Sequence, residues 1–249
     1  MPDADASLKD YAKLLKLPTF ANIDEAVKQF DASGSMEDFA RLLLKREYEA
    51  RQANQQQRRI KSAHFPQVKT LEEFDMTRLE HVRPAVVKEL AGCGFIKRHE
   101  NVIMVGTPGT GKTHLMTAIG VKACLRGMRV LFKNAGMLAT ELREARDDYH
   151  LQTMLKGIAR ADLLLLDELS YAKFDQEESE LLFKVIAERS ERASTMITTN
   201  VGFSHWTDMF ANDTLTAALV DRLTFHAHML DMNGASYRLG SALKEQRHS

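Results

Sequence analysis

The sequence predicts an α/β protein: a central parallel sheet covered by helices on both faces, preceded by a small all-helical N-terminal domain. Three observations carry that expectation. Short apolar runs that do not alternate with polar residues, Val102 to Val105 and Leu163 to Leu166, are separated by stretches of helical periodicity, the mark of strands buried on both faces. A glycine-rich loop, Gly106 to Thr113, follows the first of these runs and opens a helix. The first third of the chain carries its apolar residues at helical spacing.

Taken in order, Leu8, Tyr11, Leu14 and Leu15 mark a first helix, stopped by Pro18. A short helix is expected from Ile23 to Phe30, and Ser33-Gly34-Ser35 breaks the chain. Ser35 with Asp38 three residues on resembles a capping box for a long helix from Met36 to about Ile60. Phe65-Pro66 ends this part and places the domain boundary between residues 63 and 64, so residues 64–249 form the second domain. There the Gly-rich loop leads into a helix to about Arg126, ended by Gly127, and Arg129 to Phe132 is the next strand. Two helices are expected over 135–148 and 150–160, then the strand Leu163 to Leu166 and a helix from Glu177 to Arg192. A strand from Thr195 to Thr198 and a helix from Asp213 to Thr224 complete the reading.

The composition fits this plan. A chain of 249 residues holds one large domain or a medium domain with an appendage. Hydrophobic residues at 44% supply a core, and 27% charged residues with five prolines argue against disorder. A formal net charge of zero steers the whole molecule toward no particular partner. Cys93 and Cys124 lack metal-ligand spacing and read as reduced thiols. No apolar run is long enough to cross a bilayer, and Met1 to Lys9 has acids and no apolar segment. The expectation is a cytoplasmic protein without a membrane partner.

The residues Gly106, Thr107, Pro108, Gly109, Thr110, Gly111, Lys112 and Thr113 match the phosphate-binding loop pattern, and His114 follows directly. Glycines let the backbone wrap phosphates with its N–H groups, and the following helix adds the positive end of its dipole. The expected ligands are ATP and Mg²⁺. Lys112 would place a charge on the β- and γ-phosphates, and Thr113 would offer a hydroxyl to the metal. Asp167, at the carboxyl end of an apolar strand, would hold Mg²⁺, mostly through water. Glu168 would polarise the attacking water, which favours hydrolysis over transfer to a metabolite. Asn200 ends the next strand; it either reaches the water or γ-phosphate, or serves as a turn residue. Arg222 is either an arginine finger for a neighbouring subunit or a helix-terminal arginine favoured by the dipole. Two readings from other classes remain: a small-molecule kinase, and an ATP-gated binding module without turnover.

The order GTPGTGKT, LLLLDE, ITTN, DRL resembles the AAA+ ATPases of the initiator and helicase-loader group. The flanks Ala63 to Pro66 with Lys69 to Asp75, Asp167 to Tyr171, and Gly234 to Leu239 look like the IstB family, ATP-binding helpers of bacterial insertion sequences related to the DnaC loader. The resemblance covers most of the chain. It implies an ATP-loaded homo-oligomer on double-stranded DNA that activates a partner transposase; the alternative is a replicative helicase loader. By motif match, Asn200 would be the sensor, Arg222 the finger in trans, and Arg238 the second-sensor arginine. Only 27 residues follow Arg222, too few for the usual helical lid, so a neighbouring subunit would complete the site.

Two basic groups are candidates for phosphate contact with DNA: Arg51, Arg58, Arg59 and Lys61 on the long N-terminal helix, and Arg143, Lys156 and Arg160 in the pair of helices that occupies the place of the initiator-type insertion. The acids Glu141, Glu144, Asp147 and Asp148 weaken the second group. Trp206 and Phe203 read as core or interface packing rather than base stacking.

Overall fold

A computed structural model describes residues 6–30, 33–171, 173–234 and 236. The chain divides into two compact units between Arg58 and Arg59. In the first, α1 (Leu8–Leu14) opens with a reciprocal Ser7–Asp10 capping box, and α2 (Ile23–Gln29) follows a 3₁₀ turn. Helix α3 (Met36–Ser62) begins with the expected capping box: Ser35 Oγ accepts from Asp38 N at 3.2 Å, and Asp38 Oδ2 accepts from Ser35 N, also at 3.2 Å. Phe30 and Phe39 meet edge to face at 5.0 Å. Glu47 is buried in this unit and accepts from Thr19 N at 3.1 Å and from Arg51 Nε at 2.6 Å. Burial raises its pKa, but the Thr19 and Arg51 hydrogen bonds outweigh that and hold it below the usual carboxylate value.

The second unit contains α4 (Pro84–Ala91), α5 (Gly94–Lys97), β1 (Asn101–Val105), α6 (Lys112–Leu125), β2 (Val130–Asn134), α7 (Ala135–Asp147), α8 (Leu151–Ala159), β3 (Leu163–Asp167), α9 (Gln176–Arg189), β4 (Ser194–Thr199), α10 (Asp213–Thr224) and β5 (Ala227–Asp231). The five strands form one parallel sheet in the order β2-β3-β4-β1-β5. Side chains alternate between its faces. Leu163 and Leu165 join a core with Val102, Met104 and Leu115, whereas Leu164 and Leu166 join a second core with Ile103, Leu138 and Leu182. That two-sided burial is why β3 carries an unbroken leucine run. Trp206 is fully buried against Phe203 and Phe210, in line with the packing role.

Three elements were not anticipated. Helix α4 starts at Pro84, a favoured first helical position. Helix α5 is a single turn entered through Cys93 at φ +58°. Edge strand β5 exposes half of Met229 and so lacks a continuous apolar signature. Among the described residues, no helix is long and apolar enough to cross a membrane.

Candidate nucleotide-binding site

A cavity of about 1160 Å³ opens at the carboxyl ends of the strands, lined by Pro108 to His114 together with Asn134, Asp167, Glu168, Thr198 and Asn200. Parallel sheets bind ligands at this end because the loops and helix N-termini converge there. The strand-to-helix loop turns through Gly109 at φ +84° and Gly111 at φ +91°, in the left-handed region that costs glycine nothing. Lys112 is buried, and its Nζ donates to Gly106 O at 2.6 Å and Thr107 O at 2.8 Å. His114 lies against the Phe74 ring, and its Nε2 donates to Thr70 O at 2.9 Å.

Asp167 is the hub of the acidic side. Its Oδ1 accepts from Thr113 Oγ1 at 3.1 Å and from Thr198 Oγ1 at 2.5 Å. Thr198 Oγ1 also accepts from Glu168 N at 2.8 Å, so one hydroxyl ties both acidic residues to β4. Glu168 stands at φ +58°, a backbone conformation that non-glycine residues reach only when held there. Its Oε2 accepts from Asn134 Nδ2 at 3.0 Å. Asn134 in turn caps α7 by accepting from Gly136 N and Met137 N. Asn200 is set in place by its backbone N–H, which donates to Ser170 Oγ at 2.8 Å.

The residues present fit ATP with Mg²⁺. Thr113 Oγ1 and Asp167 Oδ1 are hard oxygen donors side by side, and the described residues hold no group of three or more His, Cys, Asp or Glu fit for a metal. Few protein ligands, with phosphates and water supplying the rest, is the usual Mg²⁺ arrangement. The loop amides and buried ammonium suit the phosphate chain.

The structure thus brings Lys112, Thr113, Asp167, Glu168 and Asn200 to one cavity. Gly106 and Thr107 lie behind it, against residues 232–234. Arg222 lines no part of the cavity; its Nη1 donates to Ala218 O, and its guanidinium lies 4.9 Å over the Phe183 ring. Arg238 falls outside the described residues. Of the basic candidates, Arg51 is engaged with Glu47 and Lys16 O. Arg143 pairs with Asp175 and Glu178 at the start of α9. Arg58, Lys61, Lys156 and Arg160 are exposed, and Arg59 is half-buried with its guanidinium close to Gly127. Sequence reasoning missed Thr198, Ser170 and Asn134. A hydroxyl beside the sensor position, and an asparagine where a strand becomes a helix, were the available signals.

The family described as IstB-like ATP binding protein matches residues 10–245. The chain belongs to the IstB-like ATP-binding proteins. Among IstB-like relatives, a Pseudomonas aeruginosa protein described as an ATP-binding protein of insertion sequence IS21 is 41% identical over 210 residues, 84% of this chain and 78% of that one. The corresponding protein of insertion sequence IS5376 from Geobacillus stearothermophilus is 34% identical over 234 residues, covering 93% of each chain. The crystal structure of the DnaC helicase loader shares the AAA+ fold with this IstB-like chain at a TM-score of 0.53 and 22% identity, over 64% of this chain and 96% of that one.

Proposed function

We propose that this chain hydrolyses ATP and, in its ATP-bound state, assembles as an oligomer on duplex DNA to activate a partner transposase. The observation that carries the reading is the union of phosphate loop, Asp167 and Glu168 in one cavity of an IstB-like chain. The insertion-sequence relatives favour a transposase over a replicative helicase as the partner.

Bound Mg²⁺ would neutralise charge on the β- and γ-phosphate oxygens. Lys112 keeps its bond to the Gly106 carbonyl and turns its other donors from the loop to phosphate oxygens, which are anionic and accept more strongly. Glu168 takes up the proton of the attacking water, and Asn200 holds that water or the γ-phosphate. Arg222, away from its own cavity, serves a neighbouring subunit's nucleotide, and Arg238 acts as the second sensor. Residues 1–63 make the oligomer, DNA or partner contacts, and exposed basic side chains meet phosphates without reading sequence. The protein works in the cytoplasm.

The test is retention of a fluorescent DNA duplex with ATP, with ADP and without nucleotide. Tight, salt-sensitive retention with ATP alone is expected. Equal retention under all three conditions contradicts nucleotide-controlled assembly.

A further inference from the structure

Strand β5 ends beside the phosphate loop, with Asp231 opposite Val105 in register. Met232 N then donates to Val105 O at 2.7 Å, and the chain turns across the back of the loop. The approach is backbone to backbone: a Cβ on Gly106 would lie 2.5 Å from the Met232 carbonyl. Within this turn the Asn233 side chain has its orientation fixed. Asp231 Oδ1 accepts from Asn233 N at 3.0 Å and from Asn233 Nδ2 at 2.8 Å. The amide nitrogen is thereby turned toward Asp231, and Oδ1 faces the loop, where it accepts from Thr107 N at 3.1 Å. A second tie, from Thr107 Oγ1 to Gly234 O at 3.3 Å, runs alongside.

The Thr107 N–H and the Gly106 carbonyl belong to the same planar peptide unit and point in opposite directions. Gly106 O accepts from Lys112 Nζ at 2.6 Å. One peptide is therefore held from both sides, by Asn233 on its N–H and by Lys112 on its carbonyl. Two bonds on opposite ends of a peptide fix the rotation of its plane, and each polarises the unit in favour of the other.

We propose that Asn233 is a positioning residue for nucleotide: it sets the plane of the Gly106–Thr107 peptide and so places the loop and the Lys112 ammonium for the phosphates. This rests on the nucleotide reading of the cavity. Without the Asn233 acceptor the peptide is held on its carbonyl side alone, by Lys112, its plane is less well fixed, and part of the binding energy goes to ordering it. The loss falls on affinity for ATP and ADP alike, because both carry the β-phosphate that the loop cradles, and turnover at saturating ATP changes less.

The experiment is calorimetric titration of the full chain with AMPPCP, alongside thermal unfolding without nucleotide. Asn233→Ala is expected to raise Kd about five- to tenfold, the scale of one net hydrogen bond with its ordering role, at an unchanged thermal midpoint. The exchanged pair Asp231→Asn with Asn233→Asp restores a donor–acceptor couple with an oxygen toward Thr107, and is expected to recover most of the affinity. Asp231→Ala, which keeps Asn233 but frees its amide to rotate, should raise Kd by about two- to fivefold; it gives an independent reading if Asn233→Ala does not fold. An Asn233→Ala Kd within twofold of the parent, or a loss that the exchanged pair does not recover, overturns the proposal. Failure of the parent chain itself to bind AMPPCP more tightly than Lys112→Ala overturns the nucleotide reading instead.

Discussion

Asn134 Nδ2 donates to Glu168 Oε2 at 3.0 Å, so the carboxylate assigned to the attacking water is held by a side chain at the end of β2. The same asparagine caps α7 through its Oδ1. Asn134→Ala should therefore have two separable effects. Loss of the cap lowers stability by about 1 kcal/mol, read by urea unfolding. Release of Glu168 raises DNA-free ATP turnover by about threefold, the worth of one modest hydrogen bond. Turnover that falls in step with stability would show that the contact only supports the fold.

Glu168 should divide binding from chemistry. Glu168→Gln keeps the size of the side chain and its contact with Asn134 but removes the proton acceptor. Turnover is expected to drop by about 10²–10⁴-fold, the range for loss of a general base, with ATP affinity near the parental value. Parental turnover in this variant would remove Glu168 from the chemistry.

Thr198 supplies one hydroxyl to two acidic residues, donating to Asp167 Oδ1 and accepting from Glu168 N. Thr198→Val keeps the shape and leaves a buried carboxylate oxygen and an N–H short of a partner. A cost of about 1–3 kcal/mol in unfolding free energy is expected, with weakened Mg²⁺ dependence of ATP binding. Unchanged stability would mean that water takes the place of the hydroxyl.

Far from the cavity, Glu100 is gripped by Arg98 at 2.7 and 2.8 Å and by His228 at 2.9 Å. Chiefly the Arg98 hydrogen bonds, working against partial burial and helped by His228, hold its pKa down to about 2. A carboxylate whose folded pKa is depressed contributes stability above its unfolded pKa, and that contribution fades as pH falls toward the folded value. Because the group is partly exposed, the contribution is about 1 kcal/mol. Glu100→Gln should lower stability by that amount at pH 7, and the difference should shrink between about pH 4.3 and pH 2. A difference that persists unchanged at pH 2 would assign the effect to packing.

Legibility in the sequence followed burial and local pattern. Leu163 to Leu166 announced β3 because both faces of that strand are covered. Gly109 and Gly111 announced the loop because its backbone needs positive φ. Strand β5 stayed hidden: Ala227, His228 and Met229 sit on a sheet edge with one side in solvent, where the chain needs no continuous apolar run. Thr198, Asn134 and Asn233 were hidden for another reason. Each acts on a residue 30 or more positions away, Thr198 and Asn134 on Glu168 and Asn233 on Thr107, so only the folded register β2-β3-β4-β1-β5 brings the pairs together.

Steady-state ATP hydrolysis with and without duplex DNA, at low and high salt, goes most directly to the proposed function. Strong stimulation by DNA that fades as salt rises is the expected result, since phosphate contacts would assemble the subunits that complete one another's sites. Loss of that stimulation in Arg222→Ala, with ATP binding retained, would follow from a finger acting between subunits. Hydrolysis indifferent to DNA at both salt concentrations would contradict an ATPase that works on DNA.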